Sequence, residues 1–137
     1  PGIKFVTAAP EVPIGVYTQN MFDKMSQIDV FGPDFKDRAN ANIVSREPNV
    51  RQVVSKVQLG EADAGVVYGT DVTPSVAPQL KQITVPAQFN IVAEYPIANV
   101  KGAGNSAGGQ AFIDFVLSPQ GQTILKKYGF QPANPTS

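Results

Sequence analysis

Three segments of the 137-residue sequence offer neutral hydrogen-bond donors. Residues 13–15 and 49–51 each open a stretch with apolar residues at helical spacing, and neither opening carries a carboxylate. The first turn of a helix presents unpaired main-chain N–H groups and a partial positive charge, so it attracts anions. Tyr68 ends an apolar run and adds a phenolic O–H donor. Together, these groups could hold a small anion.

Each of these features also has a purely structural explanation. Pro13 suits the first position of a helix because its missing N–H would have no partner there. Asn49 belongs to the residue types that cap helices best. A tyrosine such as Tyr68 at the end of a strand is commonly a half-buried core residue whose hydroxyl reaches water. The residue pattern alone therefore leaves both interpretations open.

The composition excludes several classes of function. Eleven basic and eleven acidic residues cancel, whereas nucleic acids and anionic membrane surfaces attract proteins with a basic excess. The sequence has no Cys and no His, which removes disulfides, Ser-His-Asp triads, Cys-His pairs and imidazole metal sites. We find no organised nucleophile and base among the remaining residues, so we predict a binding protein rather than an enzyme.

The order of predicted elements indicates an α/β fold with a mostly parallel sheet flanked by helices. In the first half of the chain, the pattern predicts strands at 3–8, 42–44 and 64–68 and a helix that begins at Pro13. It also predicts a second helix that is capped by Asn49, with Gln52 three residues later completing the capping pattern. Residues 28–41 are predicted as a loop with at most a short helical turn. We expect Gly69 to let the chain turn sharply behind Tyr68.

The second half of the chain predicts two further strands and two helices. The strands are expected at 80–86 and 91–100, and the glycine-rich stretch 102–109 is expected to be a flexible loop. Asn105 or Ser106 would cap one helix. Ser118 would cap the last helix, with Pro119 at its first position and Gly129 closing it. Residues 131–137 are expected to fray.

Four motifs of this sequence resemble those of the periplasmic molybdate-binding proteins of ABC transporters. They are "APEVPIGVY", "NVRQVVSKVQLGEADAGVVYGTDV", "EYPIANV" and "FIDFVLSPQGQTILKKYGF", in the order and at the spacing of that family. The resemblance extends from residue 3 to about residue 132. It implies a class II two-lobed solute-binding fold that holds molybdate or tungstate between its lobes, with no cofactor and no other metal.

The resemblance also implies the ligand-binding residues. The main-chain N–H groups of Ile14 and Val50 and the hydroxyl of Tyr68 correspond to three of the family's neutral donors. Such donors suit a fully ionised tetrahedral oxyanion, because a protonated one would place its own O–H groups against them. The family usually has a small residue where Ile14 stands, and we expect the larger side chain to narrow the cleft without removing the main-chain donor.

By the same resemblance, residues 1–95 form most of the second lobe, and residues 96–137 form a crossover strand and C-terminal helices that belong to the first lobe. About a hundred residues that precede this region in the family, with two hydroxyl donors, have no counterpart here. The apolar faces of the last two helices would then be exposed, and we expect self-association, an exchanged dimer or a missing partner fragment. These faces contain Phe112, Phe115, Val116, Ile124, Leu125 and Phe130.

The expected location is the periplasm, or the outer surface of the cell with a membrane anchor, and the expected partner is an ABC transporter permease. The chain begins without Met or a leader, so we expect that a targeting segment was removed or was never part of this sequence. Two alternatives remain: a ligand-sensing domain of a transcription regulator with the same fold, and a binding protein for another oxyanion such as sulfate.

Overall fold

A computed structural model describes residues 2–133 of the chain. The strands are β1 (Phe5–Ala8), β2 (Ile43–Glu47) and β3 (Ala64–Gly65). The helices are α1 (Pro13–Ser26), α2 (Phe35–Ala41), α3 (Val50–Gln58), α4 (Ser106–Leu117) and α5 (Pro119–Lys127). The chain divides into two compact units, Pro1–Val92 and Ala93–Ser137.

The first unit is built on a three-stranded parallel sheet in the order β2-β1-β3. Neighbouring residues of β1 point to opposite faces, as in any strand. Phe5 packs with Met21 and Phe22 of α1 on one face, whereas Val6 packs with Val53 of α3 on the other. Helices therefore cover both faces of the sheet, and the predicted α/β class with a parallel sheet is confirmed.

The predicted start of α3 is confirmed by its local chemistry. The Asn49 side chain accepts a hydrogen bond from the Gln52 N–H at 3.0 Å, which satisfies one of the free donors in the first turn. The helix ends at Gln58, and Gly60 follows with a φ of +71°, a conformation that glycine adopts without strain.

The second unit contains α4 and α5, both capped as predicted. The Asn105 side chain accepts from the Gly108 N–H at 2.9 Å, and the Ser118 hydroxyl accepts from the Gly121 N–H at 3.2 Å. Gly129 follows α5 with a φ of +86°. The glycine-rich stretch expected to be a loop is partly helical, since α4 already begins at Ser106.

Several predicted strands are wrong or too long. Residues 80–86 and 91–100 form no strand, and the predicted strand 64–68 is reduced to Ala64–Gly65. A strand requires a hydrogen-bonded neighbour, and among residues 2–133 the two long segments have none; Ile83, Val92 and Val100 are accordingly exposed. Sequence patterns alone cannot show whether such a neighbour exists.

Two boundaries in the first half also differ from the prediction. Residues 28–41, predicted as a loop with a short helical turn, contain the two-turn helix α2. Its Phe35 packs against Phe22 and Phe31 and so stabilises the helix. Strand β2 continues to Glu47 because it pairs with β1 as far as Ala8. The frayed tail predicted for 131–137 lies mostly outside the described residues.

Candidate functional site

The carboxyl ends of β1 and β2 lie side by side and lead directly into the two helix starts predicted as anion sites. The Ala9 N–H donates to the Glu47 carbonyl at 2.8 Å, which continues the β1–β2 ladder past the last residue of β1. In open α/β sheets, ligands bind at this edge, outside the carboxyl ends of the strands. The sheet therefore places the starts of α1 and α3 at one edge.

The start of α1 lies very close to the end of β1. A Cβ atom on Gly15 would collide with the carbonyl oxygens of Ala8 and Ala9, so only glycine permits this approach. Ile14 is the second residue of the helix, and no described residue accepts a hydrogen bond from its N–H. The donor predicted at Ile14 is thus a first-turn N–H without a partner in the described part of the chain.

The Ile14 side chain points away from solvent. It is only 4% exposed and belongs to a buried cluster with Val6, Ala8, Val53 and Ala62, which we call the α3-side cluster. Within this unit the Ile14 side chain is accommodated in the core. That it narrows the cleft stays a prediction.

The start of α3 presents a second first-turn donor. Val50 is its first residue, and among residues 2–133 nothing accepts from the Val50 N–H. Its side chain packs against the α3-side cluster. The first turns of α1 and α3 contain no acidic residue, so no carboxylate within either turn offsets the partial positive charge at the helix start.

Tyr68 follows β3 in an extended conformation and precedes a 3-10 turn, Gly69–Asp71. The Tyr68 N–H donates to a carboxylate oxygen of Asp71 at 3.0 Å, and the Asp71 N–H donates to the Tyr68 carbonyl, also at 3.0 Å. The half-buried Tyr68 ring meets Tyr17 edge to face, with 6.4 Å between ring centroids. Both main-chain polar groups of Tyr68 are therefore fixed by Asp71.

The role expected for Gly69 is wrong. Gly69 does not have a positive φ, and a Cβ there would meet only the Gln82 side chain, at an ordinary distance of 3.7 Å. The turn behind Tyr68 is made by the reciprocal hydrogen bonds with Asp71 rather than by the conformational freedom of glycine.

The protonation of the Asp71 carboxyl, which lies beside Tyr68, is perturbed by burial. Burial raises the pKa of Asp71 above its ordinary value, against the hydrogen bond from the Tyr68 N–H and the positive charge of Arg51, which both lower it. Arg51 belongs to the first turn of α3. The positive charge of Arg51, at the start of α3, therefore acts on the Asp71 carboxyl, which closes the turn after Tyr68.

The structure brings the three predicted residues to one cluster. Ile14 is part of the α3-side cluster, and Val50 and Tyr68 pack against it. Sequence reasoning missed Gly15 and Asp71, which hold the donors in place without offering donors themselves. For Asp71 a signal was present, because an Asp three residues after Tyr68 can close a turn on the Tyr68 N–H.

The described residues give two further facts. Nowhere in 2–133 do three or more carboxylates lie close enough together to hold a metal ion. In the same range, every helix is too short or too polar to cross a membrane.

The chain matches one family along nearly its whole length. Residues 1–131 fit the family described as bacterial extracellular solute-binding protein. The chain is 32% identical over 130 residues to the molybdate-binding protein ModA of Escherichia coli, and 32% identical over 130 residues to ModA of Mycobacterium tuberculosis. These alignments cover 94% and 95% of this chain.

A further relative has a broader description. The putative ABC transporter substrate-binding lipoprotein YvgL of Bacillus subtilis is 30% identical over 132 residues, covering 93% of this chain. This chain spans only 45–46% of the length of these three relatives. No solved structure matches the chain significantly.

The resemblance found in the motifs is thus confirmed by similarity along almost the entire sequence. The parallel sheet with helices on both faces agrees with it. On both grounds, this chain belongs to the bacterial extracellular solute-binding proteins.

Proposed function

We propose that the intact protein binds molybdate or tungstate outside the cytoplasmic membrane and delivers it, chemically unchanged, to the permease of an ABC transporter. Membership of the solute-binding family and the similarity to molybdate-binding relatives support this role. The chain contributes part of the binding site, through the main-chain N–H groups of Ile14 and Val50 and the hydroxyl of Tyr68.

The observation that carries the proposal is the arrangement of these three donors. Two helix starts without acidic residues in their first turns and one tyrosine belong to, or pack against, a single cluster beside the carboxyl ends of parallel strands. The N–H groups of Ile14 and Val50 have no acceptor among the described residues. An oxyanion supplies the acceptors that these two N–H groups lack.

Neutral donors explain how such a site selects its ligand. Several N–H and O–H dipoles stabilise a doubly charged tetrahedral oxyanion without a salt bridge. Molybdate and tungstate are fully ionised near neutral pH, whereas phosphate carries a proton that would face a donor. Sulfate carries no proton either, so it must be discriminated by its smaller oxygen shell.

Isothermal titration of the intact protein with molybdate, tungstate, sulfate and phosphate tests the proposal. We expect saturable heat with the first two and at least tenfold weaker binding of the others. Heat with sulfate or phosphate alone, or with none of the four, would contradict the proposed ligand.

The Tyr68→Phe substitution tests the contribution of the hydroxyl. It removes one donor and keeps the ring contact with Tyr17, so we expect molybdate binding to weaken by about 0.5–1.5 kcal/mol, the usual net value of one hydrogen bond. Titration calorimetry measures the difference. Tyr128→Phe, at an exposed position of the second unit, is the matched control and should bind like the wild type.

A different oxyanion is the second candidate. The thiosulfate-binding protein of Escherichia coli is 34% identical to this chain over 58 residues, which cover 39% of it. Adding thiosulfate to the same titration decides between the two candidates: saturable heat with thiosulfate and none with molybdate or tungstate would favour this alternative.

A further inference from the structure

A polar groove lies on the face of the sheet that α1 covers, beside the end of β1 and the start of α1. Val6 and Ala8 belong to the α3-side cluster, so the side chain of Thr7 between them points to the other face, which α1 covers. The groove has a volume of about 520 Å³ and is lined by Thr7, Gln19 of α1, Asn40 of α2 and Arg46 of β2, among others. The groove adjoins the first turn of α1 through Gly15 and Val16, although the donor residues Ile14, Val50 and Tyr68 do not line it.

Thr7 carries a buried hydroxyl without a partner. The residue is 2% exposed, and its Oγ1 forms no hydrogen bond within the described part of the chain. Leaving a buried hydroxyl unsatisfied lowers the stability of a protein, so such groups are uncommon and require an explanation. The Oγ1 atom is itself closed to solvent, so a ligand in the groove supplies the missing partner only when the Thr7 side chain rotates towards it.

Arg46 gives the groove its charge. It is the register partner of Thr7 in the β1–β2 ladder and the only ionisable residue of the lining. No carboxylate among residues 2–133 forms an ion pair with its guanidinium. The neighbouring carboxylate of Glu47 is occupied elsewhere, since it accepts from Ser45 and lies 3.7 Å from the Lys56 ammonium. The groove is therefore positively charged.

The side-chain amides of Gln19 and Asn40 hold each other in place in the lining of the groove. The Gln19 amide donates to Asn40 at 2.8 Å and accepts from it at 3.1 Å, which ties α1 to α2. Each amide uses one N–H in this pair and keeps a second one. Preorganised donors of this kind lower the entropy cost of binding.

We propose that the groove formed by Thr7, Gln19, Asn40 and Arg46 binds a small organic carboxylate. The forked guanidinium of Arg46 matches the two oxygens of a carboxylate. The volume lies within the range of small-molecule sites and is far larger than an inorganic tetrahedral anion requires. The inference does not depend on the proposed oxyanion function.

Titration of the ¹⁵N-labelled intact protein with L-malate, followed by NMR, tests this site. We expect saturable shifts of the Gln19, Asn40 and Arg46 side-chain signals, and we expect inorganic phosphate to bind at least tenfold more weakly. Shifts that do not saturate below 50 mM, or that sodium chloride or phosphate reproduces at equal concentration, would overturn the proposal.

Three variants and a control sharpen the test. Arg46→Gln should weaken malate binding at least tenfold, the scale of one hydrogen-bonded charge. The control Arg38→Gln, at an exposed arginine of α2, should leave malate binding within twofold of the wild type. Tyr68→Phe should also leave it within twofold, which separates this site from the oxyanion site. If Arg46→Gln and Arg38→Gln lowered the affinity for malate equally, the proposal would be overturned.

Thr7→Val replaces the hydroxyl with a methyl group of similar size. If the hydroxyl lacks a partner until ligand binds, this variant should raise the midpoint of thermal unfolding without ligand and weaken malate binding about three- to tenfold. A lowered midpoint, or unchanged malate binding, would show that the hydroxyl does not serve a ligand and would overturn its assigned role.

Discussion

Tyr68 is held at both of its main-chain groups by Asp71, and this pair shows how a donor is fixed in the proposed site. The Tyr68 N–H and the Asp71 N–H are each used in a 3.0 Å hydrogen bond to the other residue. The Tyr68 side chain therefore extends from a turn whose main chain is fixed by two hydrogen bonds. The motif predicted Tyr68 as a donor, but it did not predict that an anionic carboxylate beside it would make the turn.

Asp71 should make the stability of the chain depend on pH. Burial raises its pKa in the folded chain above the unfolded value near 3.9. The folded state therefore holds this proton more tightly, and the free energy of unfolding falls as pH rises between the two values. Asp71→Asn keeps an acceptor for the Tyr68 N–H but cannot ionise. We therefore expect the free energy of unfolding of this variant, relative to that of the wild type, to be higher at pH 7 than at pH 3.

Urea unfolding of both proteins at the two pH values measures this difference. Asp29→Asn, at an exposed aspartate between α1 and α2, is the control for the removal of one carboxylate. A larger loss of stability in Asp71→Asn at pH 7 than at pH 3 would show that the ionised carboxylate stabilises the folded chain, contrary to this account.

At the scale of elements, the sequence predicted helices better than strands for a physical reason. The starts of α3 and α5 are fixed by Asn49 and Ser118, whose side chains accept from N–H groups three residues ahead, so the signal is local. A strand depends on a distant neighbour. The segment after Gly65 has the composition of a strand but no paired neighbour in the described residues, and the pattern overestimated its length.

The contact between β1 and α1 leads to a prediction for Gly15. In Gly15→Ala, the new methyl group would collide with the carbonyls of Ala8 and Ala9, and the start of α1 would have to move. We expect a loss of about 1–3 kcal/mol in the free energy of unfolding, the usual cost of overpacking. We also expect weaker molybdate binding, because the Ile14 N–H moves with the helix.

Urea unfolding and calorimetry of the intact variant measure both effects. Gly69→Ala is the matched control, because a methyl group there meets only the Gln82 side chain at 3.7 Å. It should unfold and bind like the wild type. A Gly15→Ala variant as stable as this control would show that the close approach at α1 is not required.

At the scale of the whole molecule, the second unit exposes an apolar face. Phe112 is 60% exposed, and Phe115 and Ile124 are 42% and 45% exposed. With Val116 and Leu125 they line a groove of about 140 Å³ between α4 and α5. The motif resemblance predicted this face as the part of the molecule that another surface covers. The pattern of apolar residues marks this face, but it does not specify the surface that covers it, because that surface is not encoded in the same local segment.

We expect this 137-residue chain, expressed alone, to self-associate through that face, because burying exposed apolar surface is favourable. Size-exclusion chromatography with light scattering should give a mass above the 14.6 kDa of one chain. Phe112→Lys should shift the mass towards the monomer, whereas Ile83→Lys, at another exposed apolar residue, should not. A monodisperse wild-type monomer at high concentration would contradict this prediction.

The central claim is that main-chain N–H groups of two helix starts and one phenol bind an oxyanion without help from a cationic side chain. A crystal structure of the intact protein with bound molybdate tests it most directly. The account predicts that the nitrogens of Ile14 and Val50 and the hydroxyl oxygen of Tyr68 each lie about 2.7–3.2 Å from a molybdate oxygen. Molybdate bound away from these three atoms, or held by a lysine or arginine side chain, would contradict it.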